Sequence, residues 1–319
     1  MKILYLKTTE PDHPSFETFV EAIDGRFPID VYDPQKPLLE QLEGVEVVVD
    51  SNGAAGTREI IDAAHATGVK LWQVCTNGLD HVDAGYILEK GIPFSKADGQ
   101  QTGVPLAEHV MYFMLFFAKN LHLNHTASWS RAFGEDLDGK TLGLIGFGAS
   151  AREVARRAWP MGVRVEAIDI VDMPQALLDE LHVATFGDLS RLNQVLSAAD
   201  YISLHVPLNP QTRHIIDARA FELMKPSSVL INVARGELVD EAALIEALQN
   251  GRIKGAGLDA FASEPLDPDH PFLHLPNVVT TPHMGAFTIQ TWRRRSGAAA
   301  ENVARVSRGL PPLHLVNSV

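Results

Sequence analysis

Arg235, Glu264 and His283 are far apart in the chain, yet each stands where a strand-end or loop signal would expose it. Arg235 closes the apolar run Ile231-Asn232-Val233-Ala234 against Gly236. Glu264 lies between Leu258-Asp259-Ala260-Phe261-Ala262-Ser263 and Pro265, and His283 ends Val278-Val279-Thr280-Thr281-Pro282. Together they offer a cation for a carboxylate, a proton donor for a carbonyl oxygen and a carboxylate to tune that donor. Arg is permanently charged and can fork onto a carboxylate, whereas His titrates close enough to neutrality to give and take a proton. Behind a nucleotide-binding turn, such a set is equipment for hydride transfer. Taken singly, each residue has an ordinary reading as well: a helix-start phosphate contact, a pre-proline loop carboxylate, a satisfied loop histidine.

The turn is present. Gly146-Phe147-Gly148-Ala149-Ser150-Ala151 follows a strand-like run at 141–145 and opens a helical pattern over 149–159 that Pro160 stops. Gly146 permits a tight turn, Gly148 lets a pyrophosphate approach the backbone, and the helix start presents unsatisfied N–H groups to negative charge. Ala151 takes the third glycine position, which sets only helix–strand packing. Asp169 falls 23 residues beyond Gly146, at the end of the next strand pattern. A carboxylate there accepts from the ribose hydroxyls and repels a 2′-phosphate, and Ile170 and Val171 bring no cation to hold one. NAD is therefore expected rather than NADP; the alternative is a strand-end turn aspartate.

These residues need elements to carry them. Short β-like runs at 3–6, 45–49, 71–74 and 92–94 alternate with helical intervals such as 57–67, the pattern of an α/β unit with a parallel sheet. Gly99 and Gly103 punctuate a polar stretch that reads as a domain hinge before a long apolar helix at 106–123. Six further strands are expected at 141–145, 164–168, 201–205, 228–232, 255–258 and 278–280, a doubly wound dinucleotide domain over 104–286. The tail, one helix plus an extended end, is too small to fold alone, so residues 287–319 are expected to rejoin residues 1–103. Val110, Met111, Phe113, Met114, Phe116 and Phe117 cover more than one face of the long helix, which predicts a homodimer built on it.

With 319 residues and 45% hydrophobic content, the chain has enough apolar mass for two domains. Its net charge of −13 disfavours nucleic acid, and the dense run Arg293-Arg294-Arg295 reads as a solvated helix face rather than an anion site. The longest apolar stretch, 110–118, is about half of the roughly 20 residues that span a bilayer. The opening Met1-Lys2-Ile3-Leu4 reads as a strand rather than a leader, so a cytoplasmic protein without a membrane role is expected. A single cysteine, Cys75, excludes an intrachain disulfide and a multi-thiolate metal site. The pairs His122 with His125 and His270 with His274 lack a third ligand nearby, so no metal is expected. Glu135, Asp136 and Asp138 read as a solvated turn.

With the turn, Arg, Glu and His in this order, the chain resembles the NAD-dependent D-isomer-specific 2-hydroxyacid dehydrogenases. The resemblance covers nearly all of it, through Asn77-Gly78-Leu79-Asp80-His81-Val82-Asp83, Ala107-Glu108-His109, the Gly146 turn, His205-Val206-Pro207 with Thr212, Asn232 through Asp240, Gly257-Leu258-Asp259, Glu264-Pro265 and Thr281-Pro282-His283. It implies two Rossmann-like domains with parallel sheets, the substrate domain discontinuous and flavodoxin-like, with the active site in the cleft between them. It also implies that Arg235 clamps the substrate carboxylate and carbonyl, that His283 exchanges the proton, and that Glu264 orients His283. Asn77 and Gly78 would bind the substrate carboxylate through main-chain N–H groups. Asp259 would hold the nicotinamide carboxamide, and Gly146 to Ala151, His205, Val206, Pro207, Thr212, Val233, Ala234 and Gly285 would line the cofactor. Ser150 departs from the apolar residue usual beside the third glycine. Glu264, where formate dehydrogenases carry Gln, favours the 2-hydroxyacid branch. Asn77, where phosphite-oxidising relatives carry Lys, argues against phosphite. Val74, basic in many phosphoglycerate dehydrogenases, and the lack of a C-terminal regulatory domain point to glyoxylate, hydroxypyruvate or a similar small 2-oxoacid rather than a phosphorylated one. A corepressor-type relative that senses the nucleotide without turnover is the alternative of another class.

Overall fold

A computed structural model describes residues 1–317 other than 9, 11, 54, 80, 125–128 and 130. The chain divides into two units, Met1–Gln101 with Thr288–Val319, and Thr102–Phe287. In the first, β1 (Lys2–Leu6), β2 (Ile29–Val31), β3 (Val45–Asp50), β4 (Leu71–Val74) and β5 (Phe94–Ser95) pair in parallel in the order β2-β1-β3-β4-β5. This is the flavodoxin-like doubly wound order. The strands are apolar on both faces because helices cover both. Phe19 and Ile23 of the helix Ser15–Ile23 pack with Trp292, Ala299, Ala300 and Val303 of the helix Ile289–Ser307 on one side. Leu42, Ile60, Ile61, Ala84 and Ile87 from three short helices cover the other. The tail is tied in by the Val316 N–H, which donates to Phe94 O at 2.8 Å, and by the buried Asn302 amide, which donates to Gln73 Oε1 at 2.7 Å.

The second unit holds seven parallel strands: β6 (Thr141–Ile145), β7 (Arg164–Ile168), β8 (Val183–Gly187), β9 (Tyr201–Leu204), β10 (Val229–Asn232), β11 (Gly255–Leu258) and β12 (Val278–Thr280). Their order is β12-β11-β10-β9-β6-β7-β8. This is the dinucleotide-binding order with a seventh strand added beside the sixth. The reversal beside β6 places the glycine turn at the switch point, and the carboxyl ends of β9 to β12 carry the loops that follow.

Several expectations need correction. The sequence pattern misses β2 and β8, both edge strands. β2 has three residues and no buried one, and β8 has no fully buried residue, so neither makes an apolar run. The polar stretch at Gly99 and Gly103 is helical for most of its length: the long helix is Gln100–Ala118, with both Gly103 and Pro105 inside it, and the division between the two units falls after Gln101 in its first turn. Pro105 has no N–H to give back, and the carbonyl four residues earlier, Gln101 O, accepts from Arg294 Nε at 2.9 Å instead. The helix ends at Ala118, where Asn120 takes a left-handed backbone (φ 48°), and Leu121–Leu123 form a separate 3-10 turn. The arginine run is not uniformly solvated. Arg293 and Arg294 are exposed, but Arg295 turns inward with its guanidinium over the Trp292 ring, 4.8 Å from the centroid.

Candidate active site

β6 ends at Ile145, and the chain must turn at once to start the helix Ala149–Ala158. Gly146 makes that turn with φ +90°, and a Cβ there would lie 2.8 Å from the His205 backbone, so a side chain is refused twice, by conformation and by space. A Cβ at Gly148 would meet no atom within 4 Å, and no side chain caps the helix start. The first-turn N–H groups of Ala149, Ser150 and Ala151 are thus left for an acceptor beside an open backbone, a fit for a dinucleotide phosphate. Asp169 braces the turn: its carboxylate accepts from Phe147 N at 2.5 Å and from Val171 N at 2.9 Å. This is the strand-end turn role, and it leaves each oxygen a lone pair for a further donor.

Ser150 has a use that its departure from the family pattern did not suggest. Its hydroxyl meets His205 Nδ1 at 2.9 Å, and Ser203 Oγ on β9 meets His205 Nε2 at 3.0 Å. Burial pushes the His205 imidazole down to about 3, so the ring is neutral, with one nitrogen donating and the other accepting. The first turn of the helix is thereby tied to the carboxyl end of β9. Val206 and Pro207 follow there, and Thr212 Oγ1 donates to Pro207 O at 2.7 Å.

Three neighbouring strand ends carry the polar trio. Beyond β10, Asn232 shapes the loop, its Nδ2 donating to Arg235 O at 2.7 Å and its Oδ1 accepting from Ala234 N at 3.1 Å, past Val233. A Cβ at Gly236 would lie 1.9 Å from the Phe261 carbonyl carbon, so only glycine lets the Arg235 loop run against the loop that leads to Glu264. Glu264 Oε1 accepts from Phe261 N at 2.9 Å, and Oε2 meets His283 Nδ1 at 2.7 Å. Burial works to raise the Glu264 carboxyl, but the hydrogen bonds from His283 and Phe261 and the charges of His283 and Arg235 outweigh it and hold it below the ordinary carboxylate range. His283 remains 45% exposed, its outer nitrogen free to face a reactant.

His283 sits at φ +50°, a conformation that costs a non-glycine residue free energy and needs support. Asp259, 1% exposed at the end of β11, supplies it. One oxygen accepts from Thr281 Oγ1 at 2.6 Å and Met284 N at 2.8 Å, the other from Gly285 N at 2.8 Å. Thr281 Oγ1 also meets His109 Nε2 at 2.8 Å, and burial holds His109 below the ordinary imidazole value against the pull of Asp259. Thr281, His109 and Ser203 are the polar residues that the sequence reading gave no role. Ala107-Glu108-His109 had stood out only as part of the resemblance, and nothing local signals a hydrogen bond across 172 residues.

Asn77 and Gly78 belong to the first unit, in the loop after β4. There Thr76 Oγ1 donates to Gly78 O at 3.2 Å and Lys96 Nζ to Asn77 O at 3.3 Å. Asp80 and His125 lie outside the described residues. Among the described residues no group of three or more His, Cys, Asp or Glu is placed to hold a metal. His270 instead meets Glu241 at 3.0 Å, and the ring of His122 stacks on Phe116.

The family described as D-isomer specific 2-hydroxyacid dehydrogenase, NAD binding domain, matches residues 111–285. A D-3-phosphoglycerate dehydrogenase of Methanocaldococcus jannaschii is 35% identical over 316 residues, 97% of this chain; the chain spans 58% of that relative's length. An (S)-sulfolactate dehydrogenase of Chromohalobacter salexigens is 35% identical over 285 residues, 88% of this chain and 90% of the relative. Among solved structures, a glyoxylate reductase from Paecilomyes thermophila superposes with a TM-score of 0.81 at 27% identity, covering 99% of this chain and 98% of that one.

Proposed function

The chain belongs to the D-isomer-specific 2-hydroxyacid dehydrogenase family, a family of NAD-linked oxidoreductases, and we propose that it interconverts a small 2-oxoacid and its D-2-hydroxyacid. The observation that carries this reading is the 2.7 Å hydrogen bond between His283 and Glu264, beside Arg235, at the carboxyl ends of neighbouring strands of a dinucleotide-binding sheet. The Gly146–Ala151 turn, Asp169, the His205–Pro207 segment with Thr212, and Val233, Ala234, Asp259 and Gly285 would hold the cofactor. NADH bound there would supply the hydride for reduction, and NAD⁺ would accept it in the reverse direction.

The residues of the chain do the rest. Arg235 would fork onto the substrate carboxylate and polarise the adjacent carbonyl, and the N–H groups of Asn77 and Gly78 would donate to a substrate carboxylate. The outer nitrogen of protonated His283 gives its proton to the carbonyl oxygen as the hydride arrives. Glu264 holds the ring through Nδ1 and stabilises the imidazolium that must be present at the start of reduction. In the oxidising direction neutral His283 takes the hydroxyl proton.

Glyoxylate or hydroxypyruvate needs only the one carboxylate fork that Arg235 supplies. Phosphoglycerate and sulfolactate, in the names of two relatives, carry a second anionic group. A panel of 2-oxoacids with NADH, scored by kcat/KM, tests the proposal. Turnover of at least one small 2-oxoacid is expected; nucleotide binding without turnover of any would replace the dehydrogenase with a nucleotide sensor.

The homodimer is proposed on a different set of side chains from the one the helix pattern suggested. Val110, Phe113, Met114 and Phe117 are fully buried within their own unit, so they are not available to a partner. Tyr112, Leu115, Leu121 and Met161 are 43%, 37%, 51% and 38% exposed and line one apolar groove with Phe116. A second copy of the chain covers such a patch best. Among the described residues no helix is long and apolar enough to cross a membrane, and the single, buried cysteine suits the reducing cytoplasm that we propose as its location.

A further inference from the structure

Arg295 is the anomaly of the first unit. It lies on the helix Ile289–Ser307 at the inward stripe that Trp292, Ser296, Ala299 and Val303 define, and its Nε is enclosed without a hydrogen-bond partner. Among the described residues no carboxylate lies within ion-pair distance of it, and beyond burial the groups that act on it are the Cys75 thiol and then another cation, Arg294. Burial pushes its guanidinium down to about 10, a cost that a structural arginine normally offsets with an acidic partner.

The groups around it share a polarity. The Trp292 indole Nε1, one turn earlier and under the guanidinium, is also enclosed without a partner. Arginine and the indole can only donate, so the pair lacks an acceptor. What satisfies it is an oxyanion. Arg295 keeps partial exposure, which gives such a group a way in from solvent.

The place is informative too. Cys75 packs in one buried cluster with Trp292, over whose ring the Arg295 guanidinium lies, and it directly follows β4 and begins Cys75-Thr76-Asn77-Gly78. Ligands of parallel α/β sheets bind outside the carboxyl ends of the strands, which is where this corner lies. Asn77 is two residues beyond Cys75, at most about 7 Å of chain, so the Trp292 corner and the Asn77–Gly78 loop are neighbours.

We infer that Arg295, with the Trp292 N–H beside it, forms an anion site that receives the second anionic group of a 2-oxoacid or 2-hydroxyacid: a carboxylate, sulfonate or phosphate at the end away from the reacting carbon. This rests on the proposed reading of the Asn77–Gly78 loop as a carboxylate contact. It extends the substrate range beyond glyoxylate and hydroxypyruvate to doubly charged acids.

The experiment uses the full chain with NADH and compares hydroxypyruvate with oxaloacetate, sulfopyruvate and phosphohydroxypyruvate, in the parent, Arg295→Met and Arg295→Lys. At least one doubly charged acid should exceed hydroxypyruvate in kcat/KM. In Arg295→Met that acid should lose roughly 10- to 100-fold, mostly through KM, as expected for a hydrogen-bonded charge contact. Any loss on hydroxypyruvate should be about tenfold smaller, and Arg295→Lys should keep part of the advantage. Equal losses on both kinds of acid, or no doubly charged acid preferred by the parent, would overturn the anion site while leaving the dehydrogenase intact. If no acid at all is turned over, the dehydrogenase reading fails, and melting temperature judges the site separately. Sulfate should then stabilise the parent more than Arg295→Met, and equal stabilisation refutes the site.

Discussion

His283 sits on a strained backbone, and the residues that hold it are as informative as the ring itself. Asp259 spends both oxygens on Thr281, Met284 and Gly285, so Asp259→Ala would leave two loop N–H groups and a hydroxyl without an acceptor. A loss of about 2–4 kcal/mol in unfolding free energy is expected by denaturant titration, together with a fall in kcat, because the ring would no longer be held at its angle. Stability lost with unchanged kcat would mean that Asp259 only braces the fold. Arg235→Ala should raise KM and lower kcat together, reducing kcat/KM by about 10²- to 10³-fold, since carboxylate anchoring and carbonyl polarisation depend on the same guanidinium. A change confined to KM would remove the polarising role. The placement of this trio beyond three strand ends was legible because residue type and strand-end context are local properties. The Asp259 brace and the His109–Thr281 contact were not, because they join segments far apart in the chain.

The glycine turn is the element that the sequence describes best. The tight geometry, the open backbone at Gly148 and the uncapped helix start all follow from six consecutive residues, and Asp169 stands at the end of the next strand. NADH should be preferred over NADPH by about 100-fold or more in kcat/KM, and Asp169→Ser should narrow that ratio; equal use of the two cofactors by the parent would contradict the assignment. The neutral His205 beneath the turn makes a separate prediction about stability. Its value in the folded chain is about 3, lower than in the unfolded chain, so the unfolded state binds the proton first. Its contribution is present above the ordinary imidazole range and is lost as pH falls from there toward 3. His205→Asn should melt with a shallower decline across that window, and an unchanged slope would mean that the ring is not enclosed as described. The edge strands β2 and β8 escaped the sequence because partial exposure erases the apolar run on which such readings depend. Arg295 was misread for a related reason: neighbouring positions on a helix point about 100° apart, so three consecutive arginines cannot share one environment. The Trp292–Ala299–Val303 stripe already put the third on the inner face.

For the molecule as a whole, two parallel sheets with their helices were legible from the alternation of short apolar runs and helical intervals, and the tail's attachment to the first unit follows from its being too short to fold alone. The proposed association could be read from the sequence only in outline, because an apolar helix does not say which of its residues its own chain will bury. Light scattering at micromolar concentration should give twice the chain mass, and Leu115→Arg, which places a cation in the exposed groove, should halve it; a monomeric parent would end the proposal. The central claim, proton transfer by a His283 that Glu264 supports, is tested most directly by the pH dependence of reduction and oxidation in the parent and in Glu264→Gln. Reduction needs the protonated ring and should fall as pH rises, and oxidation of the hydroxyacid should rise across the same interval. Glu264 is held ionised by His283, and by the same interaction it stabilises the imidazolium. Removing its charge should move both limbs to lower pH, so that the variant fails in reduction at a pH where the parent still works and gains oxidation at a more acidic one. Limbs that stay in place in Glu264→Gln would contradict the proton-transfer role assigned to this pair.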